Sequence, residues 1–423
     1  MRTLVVILTL LLAFSLHAQK LAPAASPESA GFSSDRLKRL DEGFKTWIND
    51  RWVNGAVALV IRNNKIVYHK SFGYDDPATK EPLAKDDIFR IASQTKAITS
   101  VAAMMLMEEG KFLLEDPVSK YIPSFAHPNV IDKFNEKDSS YTTVPAKREV
   151  TVRDLLTHTS GIGYAQIGSK EANAIYFKSK ITAGLLVTDD KLLDAMTRLG
   201  KLPLMHQPGE KWTYGLNSDL LGCLVEVWSG MSLDEFFRTR IFTPLGMNDT
   251  YFNVPQAKAG RLVNFFTQDS TLTLVKATAA FGGGLNMGYP LVKKSYFSGG
   301  GGLSSTILDY GIFLQMLANG GVYNGVRILS PSSIRQMTVN QIGSLSLGDD
   351  EKFGLGFSVA TEESSRMGAP KAGTYAWGGA FSTSYFVDPA SGTIVLLYLQ
   401  MWGPHTRDVN GRYVNLVYQA LTE

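Results

Sequence analysis

The chain has 423 residues, 44% of them hydrophobic and 19% charged, which suits a folded globular protein and excludes a disordered or fibrous one. Its 42 Lys and Arg against 39 Asp and Glu leave a formal charge of +3, and no basic stretch carries interleaved aromatics, so nucleic acid is not an expected partner. A single cysteine, Cys223, excludes an internal disulfide.

The chain opens with a short positive segment, Met1-Arg2-Thr3, followed by the apolar run Leu4–Phe14 and a small-residue exit at Ala18. This pattern predicts a secretory signal peptide over residues 1–18, cut after Ala18; a buried helix or an uncleaved anchor is the alternative. The run is too short to span a membrane, which takes roughly 20 apolar residues. No cysteine follows it to carry a lipid, so the expectation is an exported protein, periplasmic or secreted.

Residues 19–33, rich in Ala, Pro and Ser, read as a linker, and 34–423 as one domain. Ser34 is expected to cap a helix whose apolar positions Leu37, Leu40, Phe44 and Trp47 recur at three- and four-residue steps. Ala56–Arg62 and Lys65–His69 flank Asn63-Asn64 as a β-hairpin. Helices are expected over Lys96–Glu109, Ser218–Trp228, Leu233–Phe242 and Thr306–Leu317, and the polar stretch Asn135–Lys147 as a surface loop. Cys223 falls in the second of these helices on an apolar pattern and is expected in the core. A second hairpin, Phe381–Val387 and Thr393–Leu399 about Asp388–Gly392, precedes a final helix from Asn410 to Leu421. Strands near both termini with helices between them predict an α/β (α+β) fold. One antiparallel sheet is built from both ends, flanked by helices, with a mainly helical region inserted.

Three segments carry candidate chemistry. In Ser93-Gln-Thr-Lys96, residues three apart on a helix share a face, so a serine at the helix start can touch the lysine one turn on. A serine hydroxyl needs a neighbour to take its proton, and unpaired N–H groups at a helix start favour a developing negative charge. The same spacing also arises from a helix cap followed by a solvated lysine. Here the flanks Ile88–Ala92 and Ala97–Met107 are apolar, so Lys96 opens a helix expected to be buried. In Pro208–Ser218, Tyr214 precedes a helix and can present its hydroxyl to a cleft; a packed, hydrogen-bonded aromatic is the alternative. In Tyr375-Ala-Trp377-Gly378-Gly379-Ala380-Phe381, the glycines allow close backbone approach, and the N–H groups of Ala380 and Ser93 could cradle an oxyanion; a bulge or tight bend is the alternative.

These segments, in this order, resemble the serine β-lactamase and penicillin-binding superfamily, in the branch of class C β-lactamases and family VIII carboxylesterases. Asp154-Leu-Leu-Thr-His-Thr-Ser-Gly161, Gly299–Thr306 and Phe313–Gly321 extend the resemblance, which runs from about residue 26 to the C-terminus. It implies Ser93 as nucleophile, Lys96 as its partner, and Tyr214 as general base or relay. It also implies the N–H groups of Ser93 and Ala380 as the oxyanion hole. Which of Lys96 and Tyr214 takes the first proton stays open. Tyr164, Phe297 and Phe381 are candidates for the leaving-group pocket by family position.

Two departures bear on substrate. The family's Tyr-x-Asn reads Tyr214-Gly-Leu216, with Asn217 one residue late, and its Lys-Thr-Gly reads Trp377-Gly378-Gly379. Leu216, Trp377, Gly378 and Gly379 are therefore the expected substrate-contacting residues. Trp377 offers an apolar face where the family's lysine holds a carboxylate. Both changes resemble the family VIII esterases and favour a neutral ester or amide with an apolar acyl group. A β-lactamase, a D-Ala-D-Ala peptidase, an acyltransferase or a slowly deacylating acyl sensor are the other readings. No metal or organic cofactor is implied: none of His17, His69, His127, His158, His206 and His405 pairs with another at zinc-ligand spacing. The run Gly299–Gly302 lacks the phosphate-loop pattern, and no Gly-x-Ser-x-Gly elbow occurs. His158 is expected to be a hydrogen-bonded structural residue. Oligomeric state is not legible.

Overall fold

The computed structural model describes residues 20–422 apart from 166, 183–184, 186, 272, 278–279, 282–284, 349, 367–370 and 403–406. The expected signal peptide and its cut lie outside the described residues, as do His17 and His405. The principal sheet is built from β1 (Ala22–Pro23), β2 (Gly55–Arg62), β3 (Lys65–Asp76), β4 (Lys352–Phe353), β5 (Ser358–Val359), β6 (Tyr375–Gly379), β7 (Thr383–Asp388) and β8 (Thr393–Tyr398). They lie in the order β1-β3-β2-β8-β7-β6-β5-β4, with Glu81–Pro82 added to β3. All pairs are antiparallel except β1 with β3. Both expected hairpins form, and β2 joins β8 at the centre, so the two ends of the chain meet in one sheet.

Strand β2 shows why the sheet is central. Its residues are buried on both faces, as a near-continuous apolar run requires. Ala56, Ala58 and Val60 face a layer formed by α1 (Ser34–Asn49) and the C-terminal helix Val409–Ala420 through Phe44, Trp47, Tyr413 and Val417. Val57, Leu59 and Ile61 face the larger core, which holds the helices Thr95–Glu108, Asn217–Ser229 and Ile307–Ala318. Each fully buried Val, Leu or Ile there contributes about 1.5–3 kcal/mol of transfer free energy. Cys223 is fully buried in that core, where burial pushes its thiol pKa up.

Several boundaries differ from expectation. Residues 20–33 do not stand off as a linker: Ala22 and Pro23 pair with Lys65 and Ile66, and Phe32 is fully buried. Ser33, not Ser34, caps α1, its hydroxyl accepting from the Arg36 N–H at 3.3 Å. The polar stretch Asn135–Lys147 is exposed, but Tyr141–Pro145 pairs antiparallel with Asn129–Phe134; its β-branched Thr142, Thr143 and Val144 suit that pairing. The helix over Leu233–Phe242 widens after Phe237 into a π-turn, where the Thr243 N–H reaches the Arg238 carbonyl just before Pro244. Phe381 belongs to the turn between β6 and β7 and not to the strand, which starts at Thr383 after Ser382 adopts φ 64°.

One buried acid makes stability depend on pH. Asp309, in the first turn of Ile307–Ala318, accepts from the Asp249 N–H at 2.7 Å and the Thr250 hydroxyl at 3.0 Å. Burial pushes its carboxyl from the ordinary 3.8 up to about 6. The folded state therefore keeps the proton longer than the unfolded chain does. The resulting stabilisation is complete below the unfolded value and is lost as pH rises through about 6. Asp309→Asn removes this contribution. Urea unfolding at pH 4 and 6.5 should show the wild type losing about 2 kcal/mol relative to the variant. A constant difference between the two proteins contradicts this.

Candidate active site

Phe89–Arg90 pairs with Ser304–Ser305 and delivers the chain into a 3-10 turn, Ala92–Gln94, that feeds the helix Thr95–Glu108. The helix begins two residues later than Ser93, which sits in the tighter turn. Ala92 takes φ 41°, a left-handed conformation that costs a non-glycine residue about 1 kcal/mol or more, and it is 2% exposed. The strain is held immediately before the serine.

Lys96 is 2% exposed, and nearly every residue of its helix is buried, as the apolar flanks imply. Its Nζ donates to Ser93 Oγ at 3.3 Å, to Tyr164 Oη at 3.0 Å and to the Gly300 carbonyl at 2.6 Å. The lysine nitrogen thus has a hydrogen-bond partner in three directions. The Tyr214 hydroxyl lies 2.6 Å from Ser93 Oγ, and Lys96 Nζ lies 4.5 Å from the centre of the Tyr214 ring. The structure therefore brings Ser93, Lys96 and Tyr214 together, with the serine oxygen bonded to both partners.

Tyr214 stands in an aromatic wall. Trp377 lies 5.6 Å from it, Trp212 5.9 Å and His158 5.1 Å, centre to centre, while Phe353 packs at 5.4 Å on Trp377. Trp377 accordingly puts indole, not a cation, beside the serine's partner. His158 is buried with φ 58° at the end of Val152–Thr157, and its Nδ1 accepts from Asn217 Nδ2 at 2.9 Å. Burial, assisted by the charge on Lys96, holds its pKa well below the ordinary 6.5. It is a neutral structural residue, as expected; the neighbouring Ser160 hydroxyl bonds Asn217 Oδ1.

Leu216 does not contact the open site. It is fully exposure-free at the start of Asn217–Ser229 and belongs to the core, because the helix begins one residue after it and turns its side chain inward. Asn217 is equally buried, its amide used by His158, Ser160 and the Ile162 carbonyl. Phe381 is fully buried against Ala92 and Phe265, and so supports the turn rather than lining a pocket. Phe297 is partly buried and packs on Phe252 at 5.1 Å.

Ala380 is exposed at the end of β6. The two preceding glycines differ in role. A Cβ at Gly378 would meet only the Thr383 carbonyl, at 3.2 Å. A Cβ at Gly379 would overlap the Ile91 carbonyl and the Thr383 hydroxyl. The close approach at Gly379 is thus to the segment carrying Ser93, not to a ligand. Gly379→Ala should destabilise the fold by about 1–3 kcal/mol through overpacking, read by urea unfolding, and should slow turnover by parting β6 from the serine turn. Unchanged stability contradicts the contact.

Five residues at the site escaped the sequence reading. Tyr164, considered only for a leaving-group pocket, bonds Lys96; burial pushes its phenol pKa well above the usual value, aided by Tyr214 and Asp219. Gly300 supplies the carbonyl on Lys96. Asp219 is fully buried beneath it, accepts from Tyr296 at 3.2 Å, and is pushed up in pKa by burial. Trp212 and Phe353 complete the wall. Gly299–Gly302 drew attention only as a glycine run; its fit against the carboxyl of Asp219 at Gly300 has no local sequence signal.

The beta-lactamase family profile matches residues 36–419. The chain belongs to that family. Esterase EstB of Burkholderia gladioli is 30% identical over 400 residues, covering 90% of this chain and 97% of EstB. An Escherichia coli K12 protein, provisionally named a D-alanyl-D-alanine carboxypeptidase, is 30% identical over 423 residues, covering 94% and 90%. Among solved structures, EstCE1, a hydrolase with promiscuous acyltransferase activity, superposes with TM-score 0.75 at 24% identity, over 92% of this chain and 98% of that one. That likeness establishes the shared fold. This beta-lactamase family member is a serine hydrolase. No helix among the described residues is long and apolar enough to cross a membrane.

Proposed function

We propose that the protein is a carboxylesterase that hydrolyses esters of neutral, apolar acids through an acyl-enzyme on Ser93. The observation that carries the reading is the placement of Ser93 Oγ between Lys96 Nζ at 3.3 Å and Tyr214 Oη at 2.6 Å, beside an indole wall. The Tyr214–Lys96 pair takes the serine proton as Oγ bonds the acyl carbon. The carbonyl electron pair moves to oxygen, where the N–H groups of Ser93 and Ala380 receive it. Collapse breaks the bond to the alkoxide, which leaves as the alcohol with the proton returned from Tyr214. Water then repeats the sequence and frees Ser93. Trp377 and Gly378 border the acyl group, with Trp377 giving no charge for a substrate carboxylate.

The name of the Escherichia coli relative favours a second reading, a D-alanyl-D-alanine carboxypeptidase. The two separate on initial rates with p-nitrophenyl butyrate, nitrocefin and a D-Ala-D-Ala peptide. The esterase reading expects dominant ester turnover. Dominant turnover of nitrocefin or the peptide contradicts it. An added acceptor alcohol would reveal acyl transfer as ester product. The pattern Met1–Ala18 supports export to the periplasm or medium, so the mature N-terminus should be Gln19 by sequencing of the secreted protein; a retained Met1 contradicts this.

A further inference from the structure

Arg90 lies three residues before Ser93, is 6% exposed, and has no carboxylate within ion-pair distance among the described residues. A buried cation without an anion is costly unless hydrogen bonds replace its water. Here backbone carbonyls and one amide do so. Nε donates to the Met287 carbonyl at 2.7 Å, and Nη1 donates to the Val263 carbonyl at 2.7 Å and to Gln400 Oε1 at 3.3 Å. Gln400 also grips the backbone of Arg90 from both sides: its Oε1 accepts the Arg90 N–H at 2.7 Å, and its Nε2 donates to the Arg90 carbonyl at 3.3 Å.

Gln400 is 1% exposed, and its chain neighbours hold the turn after Ala380. The Leu399 N–H donates to the Ser382 carbonyl at 3.1 Å, and the Met401 N–H to the Phe381 carbonyl at 3.2 Å. A continuous hydrogen-bonded path therefore runs from the strand ahead of Ser93, through the Gln400 amide, to the turn behind Ala380. Gly379 against Ile91 is the second tie between the same two segments.

We propose that Gln400, clamped by Arg90, is a positioning residue that sets the spacing between the Ser93 and Ala380 amides of the oxyanion hole. This rests on the assignment of those two amides in the esterase reading. Arg90 and Gln400 are both buried. Their effect is on the geometry available to a tetrahedral oxyanion, where a displacement of about 1 Å is enough to cost about 100-fold in rate.

The test compares wild type with Gln400→Met, which keeps the volume and loses both amide bonds, and Gln400→Glu, which keeps the acceptor for Arg90. Rates on p-nitrophenyl butyrate are normalised to active sites titrated with a p-nitrophenyl alkylphosphonate, so loss of folded protein does not count. Butylboronic acid, which forms a tetrahedral adduct, is the probe for the oxyanion geometry. Per titrated site, Gln400→Met should lose at least about tenfold in kcat and weaken boronate affinity in parallel, with KM within about twofold. Gln400→Glu should stay within about threefold of wild type. If Gln400→Met yields no soluble protein, Gln400→Asn, too short to reach the Arg90 backbone, takes its place with the same expectation. Wild-type kcat and boronate affinity per site in Gln400→Met, or in that substitute, overturn the proposal. Full activity in Ala380→Pro, which removes the Ala380 N–H, would instead overturn the oxyanion assignment beneath it.

Discussion

Replacing Ser93 with alanine is expected to lower kcat/KM for p-nitrophenyl butyrate by about 10^4-fold or more, leaving only what the remaining groups achieve without a nucleophile. The substitution removes one oxygen from a half-buried position, so the fold should persist, with a melting temperature within a few degrees of wild type. Lys96 would keep its bonds to Tyr164 and the Gly300 carbonyl. The loss would therefore report chemistry and not unfolding. A variant that keeps more than about a tenth of wild-type turnover would remove Ser93 from the mechanism.

Tyr214→Phe is expected to produce the second largest loss, about 10^2–10^4-fold in kcat, the usual contribution of a positioned proton-transfer group. Phenylalanine keeps the ring against Trp377, Trp212 and His158 and loses only the hydroxyl bonded to Ser93 at 2.6 Å. KM should change little, because that hydroxyl acts on the serine and not on the bound ester. Lys96→Ala would also slow turnover, but it strips the partner from a buried carbonyl and from Tyr164, so a stability loss of about 1–3 kcal/mol would accompany it. The tyrosine substitution is thus the cleaner measure of proton transfer. A rate within about fivefold of wild type would place the base elsewhere.

The fold was legible where period and punctuation act locally. Asn63-Asn64 between two β-rich runs marked the central hairpin, and both asparagines adopt positive φ there, 48° and 65°. The three-residue step from Ser93 to Lys96 was likewise readable as one helix face, although the serine lies in a 3-10 turn. Tyr214 was readable from its loop before a helix together with the family resemblance.

What was not legible depends on distant segments or on single-residue register. The carbonyl that holds Lys96 is 204 residues away, and the phenol of Tyr164 is 68 residues away; no periodicity links them. Leu216 was placed at the substrate because it follows Tyr214 by two. The helix starting at Asn217 rotates it into the core instead. Gly379 was read for ligand approach, yet the backbone it admits is that of Ile91. Residues 20–33 looked like a linker by composition, but a two-residue parallel pairing and one buried phenylalanine attach them to the sheet.

The central claim is that Ser93 Oγ forms the covalent intermediate. The direct measurement is peptide mapping by mass spectrometry after reaction with a p-nitrophenyl alkylphosphonate. A new Oγ–P bond forms there as the P–O bond to p-nitrophenolate breaks. The account predicts complete loss of activity at one phosphonyl group per chain, carried by the peptide containing Ser93. Complete inactivation with the group on any other residue would contradict it.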